Sequence, residues 1–572
     1  MKIGKVGIYI DQKEVENRWS NGMNVFELYI LEVFEHLRLP FQMVEDLSNL
    51  QSYDALVIGV MEENPKAMSR IVEYAEAGGT VISYGGLNRL ADWLGFRKAS
   101  EVQRGYAFLN DDFNQDKPLR FLQAEPWEQV TPSDNVSEKG KIYITNKVQN
   151  DSEVVALHQI KVGKGHIDRW AISIPKTIVG IQQGTQPVSK DGVPAPDGSA
   201  NLDEGILKAD DGFELDWNLD REQTGTGIPY FSLPYADLWR EVMIEHLLNR
   251  VIEKNVTLPF LAYWPADVEH MAMISHDSDL NEDASAITTL DVLRKHGIHS
   301  TWCMIMPGYD QSIYEQVKND GHELAFHYNA LKAEEGIWGE EAFREQLNIL
   351  KKASNTNDIV SNKNHYTRFE GWGEFFTWCE KCGIEVDQSR GPSKKGNIGF
   401  LFGTCHPFFP IASADENNRF YNVLELGFLT QDLNHHALAD TSVIDPFLNH
   451  VKLVNGVAHF LFHQYHIHHQ EDVYEAIQQL IVQAKQEGFT FWTSRQINEW
   501  ERKRRKISII GVDHNHHVLT LDDVNVEDAV AYIPIPNSNN TCNEKIVERF
   551  GIPCIEKKIL RQSVKKIGKE MA

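Results

Sequence analysis

Met271 to Asp279 reads MAMISHDSD, an apolar run that stops abruptly at a histidine and two carboxylates. Short apolar runs of this kind form buried strands, and acids two residues apart point to the same side of an extended chain. Two like charges at the end of a buried strand are costly unless a proton or a cation resolves the conflict, and a divalent metal would do so. A local reading competes: Asp279, with Glu282 three residues later, also has the spacing of a helix capping box. The histidines bear on the choice. Of 23 in the 572-residue chain, 16 fall in the 200 residues from His270 to His469. A uniform scatter would put about eight there, and imidazole is the commonest metal ligand and proton shuttle near neutral pH.

Outward from that strand the rhythm is regular. Glu282–His296 is a predicted helix stopped by Gly297, Ser300–Met306 a strand, Gln311–Asn319 a helix and His322–Phe326 a strand. Glu340–Lys352 and Glu370–Cys382 follow as helices, and Val457–Phe462 is a strand before the helix Asp472–Glu487. Repeated βα units predict a barrel with its chemistry at the carboxyl ends of the strands, where His276, Asp277, Asp279, His327 and His463 all fall.

Residues 1 to about 250 alternate in a similar way. Lys5–Ile10, Ala55–Val60 and Thr80–Tyr84 read as strands, Asn24–Arg38 and Lys66–Ala77 as helices, which predicts a parallel sheet with right-handed crossovers. Gly163–Ile174 reads as a hairpin, Gln183–Glu204 as a long excursion rich in Pro, Gly, Asp and Ser, and Tyr235–Glu253 as a closing helix. Ile252–Pro265 is the expected linker. After Glu501 a basic run, RKRRK, precedes an alternating β pattern and reads as the dipole-compensating end of a helix. The expected parts are residues 1–255, 262–503 and a small β appendage at 504–572.

Composition excludes several classes. A net charge of -26 argues against nucleic acid or an anionic membrane as partner. No run approaches the roughly 20 apolar residues that span a bilayer, and the amino terminus has no signal-like apolar stretch, so the expected location is the cytoplasm. Six cysteines are too few for a disulfide scaffold, and the Cys379/Cys382 pair at the end of a predicted helix reads as structural.

Two stretches resemble known families. AEAGGTVISYGG (Ala75–Gly86) resembles the flavodoxin-like sheet of the class I glutamine amidotransferases. That family places a cysteine nucleophile just after such a strand, and here no cysteine precedes Cys303. The resemblance implies an α/β scaffold without its nucleophile, through which chains could associate.

Met271 to about Trp500, some 40% of the chain, resembles the polysaccharide deacetylases of carbohydrate esterase family four, in a branch with HDxD. The likeness rests on SHDSD (Ser275–Asp279), GHELAFH (Gly321–His327), NHYTRF (Asn364–Phe369), GIEVDQS (Gly383–Ser389), GTCHPF (Gly403–Phe408) and LFHQYH (Leu461–His466), in family order. It implies a distorted (β/α)7 barrel and one divalent metal, Zn2+ before Co2+, Ni2+ or Mn2+. Asp279 and His327 would be metal ligands, Asp277 the base and His463 the acid. The roles of Asp277 and Asp279 could also be exchanged, since Ser278 separates them.

One departure matters: the family's second motif histidine would fall at Leu331, so His365 is proposed as the third ligand, the alternatives being that Asp277 binds the metal as well or that metal binding has been lost. In the same scheme Arg368 holds the base carboxylate, Asp387 orients His463, and a backbone N–H near Tyr366 faces the developing oxyanion. His406 with Phe408 and Phe409 is a candidate sugar-stacking wall. His322 reads as structural, while His466, His468 and His469 either line substrate or are solvated. The implied function is a metal-dependent hydrolase of non-peptide carbon–nitrogen bonds, removing an acyl group from a carbohydrate or related amide. The alternative, motivated by Leu331, is a non-catalytic barrel for carbohydrate binding or assembly.

Overall fold

A computed structural model describes residues 1–148, 154–202, 205–435, 438–521, 526, 528–536 and 544–559. In the amino-terminal part, strands Gln42–Val44, Val6–Ile10, Ala55–Val60, Thr80–Tyr84 and Gly165–Trp170 lie side by side in that order, all parallel. This is the strand order of flavodoxin-like doubly wound sheets. VGIYI, ALVIGV and TVISY are apolar on both faces because helices cover both sides of such a sheet. Beyond Gly165–Trp170 the sheet continues antiparallel through Val155–Val162, Val136–Tyr143, Gly105–Phe108 and Leu119–Phe121. The helix Pro65–Glu76 starts where Asn64 accepts from the Ala67 N–H, with Pro65 in its first turn. Of the expected helix Asn24–Arg38, the first part is a 3-10 turn, Phe26–Tyr29, and only Ile30–Leu37 is α-helical.

The second sheet runs Leu424–Glu425, Val386–Asp387, Ser361–Asn364, Glu323–Tyr328, Thr301–Met304, His270–Asp277, Val457–Leu461 and Thr430–Gln431, every neighbour parallel. Phe489–Phe491 pairs with the first half of His270–Asp277. Among the described residues the two outer strands share no ladder, so the barrel is a curled, open half-barrel. The long central strand His270–Asp277 is buried along nearly its whole length, as its sequence requires.

Phe260–Leu261, Val530–Pro534, Ile552–Lys558 and Ile546–Arg549 form a four-stranded antiparallel sheet, with a separate hairpin at Ile509–Val512 and Val518–Thr520. Part of the stretch read as a linker is therefore an edge strand: Phe260 pairs with Tyr532 and Leu261 with Ala531. Val188, within the stretch read as an excursion, bridges to Gly371 of the barrel, and Lys208, just beyond it, to Arg368.

The basic run does more than end a helix. Arg504 ends the helix that begins at Ser494 and is buried, and Arg505, its C-cap, is mostly covered. Arg505 donates two hydrogen bonds of 2.7 Å to Glu32 and one of 2.6 Å to Glu501, and Arg504 donates to the His36 carbonyl at 2.6 Å. These cations pin the helix Ser494–Arg504 against Ile30–Leu37, in a buried network whose charges are paired. Among the described residues no helix is long and apolar enough to cross a membrane.

Candidate metal centre

Strand ends deliver the site. Asp277 closes the central strand, and the chain turns at Ser278, whose N–H donates to the Cys303 carbonyl at 3.1 Å. The Ser278 hydroxyl accepts from the Ile305 N–H at 2.9 Å and donates to Asn281 at 3.0 Å, so the residue between the two acids is itself held on three sides. His327 lies on Glu323–Tyr328, His365 follows Ser361–Asn364, and His463 follows Val457–Leu461. All are at carboxyl ends of parallel strands, the end at which barrels place chemistry.

The side chains converge. His327 Nε2 is 3.3 Å from Asp279 Oδ1, His365 Nε2 is 3.6 Å and His463 Nε2 is 3.4 Å from Asp279 Oδ2, and His327 Nε2 is 3.8 Å from Asp277 Oδ2. Asp279, His327 and His365 each offer a ligand atom within 4.8 Å of the other two. Asp279 Oδ1 and His327 Nε2 are buried yet make no hydrogen bond. Buried polar atoms are seldom left so, and two of them facing one another across a carboxylate–imidazole set fit a cation of the zinc class. His327 is oriented for this: its Nδ1 is 2.8 Å from the Lys363 carbonyl, which directs Nε2 into the site. His365 is held less tightly, with Nδ1 3.3 Å from Asn329 Oδ1.

Electrostatics agree with the geometry. Burial alone would raise both acids, but His463, His327 and His365 outweigh it at Asp279 and hold its carboxyl well below the usual range. At Asp277 the opposing cation is Lys363, followed by the histidines, and that carboxyl is also lowered. Burial pulls His463 down, yet Asp432 and Asp279 prevail and raise it to about 10.

Lys363 and Asp432 were not among the expected site residues. Lys363 is fully buried, with Nζ 3.2 Å from Asp277 Oδ1 and donating to Ser275 Oγ at 2.7 Å. Ser275 Oγ is in turn 2.8 Å from His459 Nε2. Asp432 accepts from the His463 backbone N–H at 2.8 Å with one oxygen and lies 2.5 Å from His463 Nδ1 with the other. A lysine among asparagines, NKNH, and an aspartate just beyond a two-residue strand carry no local signal of these roles.

Several expected contacts are not made. Arg368 does not reach Asp277: it donates to Glu370 at 2.9 Å and to the Ala330 carbonyl, and lies over the Trp338 ring. Asp387 does not reach His463; it accepts from Asn362 at 2.9 Å and Ser389 at 2.8 Å, inside a separate buried network. Asp279 does not cap the following helix, whose N-cap is Glu282 without a side-chain cap bond, because its carboxylate turns into the site instead. His406 is no sugar wall: it is buried against Tyr263 and His36, with Nε2 2.6 Å from the Val454 carbonyl. His322 is structural, its Nδ1 accepting from the Ser300 N–H at 3.1 Å.

On the helix Gln464–His469, His466 stacks on His435 at 4.3 Å, while His469 meets Glu282 at 2.6 Å on the exposed rim. Tyr366, beside His365, has φ 56° and is 48% exposed, with Lys208 Nζ 5.4 Å from its ring centroid. A left-handed conformation is uncommon at a bulky aromatic.

No family model and no curated protein matches the chain. Among solved structures it is similar to a candidate polysaccharide deacetylase from Mycobacterium smegmatis, at 14% identity over 43% of this chain and 94% of that one, with a TM-score of 0.33. A candidate polysaccharide deacetylase involved in O-antigen biosynthesis from Bordetella bronchiseptica gives 14% identity over 38% and 91%, with a TM-score of 0.26. A β-galactosidase from Bacillus circulans sp. alkalophilus gives 15% identity over 30% and 29%, with a TM-score of 0.25. At these scores the likeness adds nothing to the geometry of the site itself.

Proposed function

We propose that this chain is a metal-dependent hydrolase that removes an acyl group from the nitrogen of a carbohydrate or related amide. The observation that carries the reading is the meeting of Asp279, His327 and His365, from three separate strand ends, with their ligand atoms within 4.8 Å of one another. These three residues would hold the ion. A zinc-type cation bound there would supply Lewis acidity toward the amide carbonyl.

The rest of the chemistry falls to the protein. Asp277, ionised and fixed by Lys363, accepts the proton of an attacking water as its oxygen bonds to the carbonyl carbon. His463, carrying a proton and oriented by Asp432, gives that proton to the amine nitrogen as the carbon–nitrogen bond breaks. One proton is taken and one returned, and carboxylate and amine leave as products. Substitution of Asp277 or His463 alone therefore interrupts opposite halves of the reaction.

The test is direct. Protein loaded with Zn2+ and dialysed should retain about one ion per chain, Asp279→Asn should retain none, and the loaded protein should release acetate from N-acetylated oligosaccharides. Asp277→Asn should keep its ion and lose activity by about 10²-fold or more. Absence of bound zinc would remove the metal centre. Bound zinc without hydrolysis across a panel of N-acylated sugars and simple amides would leave the carbohydrate-binding reading in its place.

A further inference from the structure

At the amino end of the central strand lies a cavity of about 630 Å³, lined by Glu241, Tyr263, Trp264, Asp267, Tyr532 and Arg549 among others. The strand places it about 23 Å from the acids at the opposite end. Its walls include the helix Tyr235–Ile252, the segment leading into the barrel, the end of the helix Ile444–Val454 and the carboxyl-terminal sheet. The volume is that of a small-molecule site, and such sites combine enclosed aromatic walls with a few convergent polar groups.

The charges around this cavity are unequally satisfied. Lys452 pairs with Glu487 at 2.8 Å and Lys545 with Glu556 at 2.6 Å. Among the described residues, Glu241 and Asp267 have neither a hydrogen bond nor an ion pair from their side chains. Arg549 forms no ion pair either; it lies 4.7 Å over the Tyr532 ring and donates to the Tyr532 hydroxyl at 2.9 Å and to the Glu548 carbonyl at 3.0 Å. Burial, reinforced by Asp237 and Glu245 and only partly offset by Arg240 and Arg549, pushes Glu241 up to about 8. A part-buried carboxyl in the cavity wall with no direct hydrogen bond or ion pair, beside an arginine with unused donors, is complementary to a ligand that brings an ammonium and hydroxyl oxygens.

We propose that this cavity binds a small hydroxylated primary amine, its ammonium against Glu241 and its hydroxyl oxygens accepting from Arg549. The proposal does not rest on the hydrolase reading, since none of the residues that carry it belongs to the metal centre.

Calorimetric titration of the full chain with D-glucosamine, and with D-glucose as the uncharged control, tests it. Binding of D-glucosamine should weaken about tenfold or more in Glu241→Gln and for D-glucose, as expected for loss of a charge-assisted contact, and stay unchanged in Asp279→Asn. Arg549→Gln should weaken it by about threefold or more, and decides the matter if Glu241→Gln does not fold. No binding by the native chain, equal affinity for D-glucose, or a loss in Asp279→Asn with none in Glu241→Gln would each overturn the proposal.

Discussion

Lys363 Nζ lies 3.2 Å from Asp277 Oδ1, and neither group has access to solvent beyond a few per cent of its surface. The pair joins strands 86 residues apart in sequence and supplies the counter-charge that lets a carboxylate stand ionised inside a barrel.

Lys363→Met removes that counter-charge while keeping the length of the side chain. Leaving a buried carboxylate unpaired costs about 3–5 kcal/mol, so the melting temperature should fall and hydrolysis with it. Adding Asp277→Asn should restore much of the stability and none of the activity. Calorimetry and acetate release on the single and double variants check both halves.

Asp432→Asn leaves His463 without its carboxylate partner at 2.5 Å. The imidazole then loses both orientation and the charge that favours its protonated form. We expect kcat to fall by about 10²-fold or more with KM and bound zinc unchanged, measured by steady-state kinetics beside metal analysis.

Asn329→Ala frees the His365 Nδ1 contact of 3.3 Å without removing a ligand atom. Loss of such an outer contact weakens metal affinity by about 10–100-fold. Competition with a chromophoric chelator should show that loss, and His365→Ala a greater one.

Glu241→Gln should change stability in a pH-dependent way. The native carboxyl is pushed up from 4.5 to about 8, so between these values the folded chain holds a proton that the unfolded chain has released. The stability Glu241 contributes is thus present below pH 4.5 and lost as pH rises to about 8. Glutamine never ionises. The two proteins should melt together near pH 4, and the variant should melt higher by about 1 °C or more at pH 8.5.

Arg505→Met should be among the more damaging substitutions far from the site. It breaks the bonds to Glu32 and Glu501; Glu501 keeps Arg504, but the buried Glu32 carboxylate loses its cation, at a cost of about 3–5 kcal/mol. Urea denaturation reads the loss.

Much of the architecture was legible locally. Ala55–Val60, Thr80–Tyr84 and Gln311–Asn319 occupy the bounds their patterns predict, because apolar periodicity and turn residues act over a few positions. Asp277, Asp279, His327 and His463 could be singled out because each ends or follows a predicted strand, and His365 through the resemblance of NHYTRF; the half-barrel brings them together. The partners were a different matter. Lys363 for Asp277 and Asp432 for His463, like Glu370 for Arg368 and Asn362 for Asp387, depend on strand neighbourhood and on which way each side chain turns. Arg368 offered a strong charge near the right motif, yet it lies past the turn His365–Thr367 and its guanidinium meets Glu370, whereas Lys363, on the strand itself, reaches Asp277. The edge strand Phe260–Leu261 was hidden for the same reason: two residues carry no period, and only Tyr532 and Ala531 across the ladder make them a strand.

The sequence by itself determined where strands and helices form and which acids and imidazoles stand at strand ends, since those properties are set by neighbours along the chain. Only the tertiary structure decided which of them share a counter-charge, because ion pairs and ladders between residues tens to hundreds of positions apart exist only once the sheets have curled and packed.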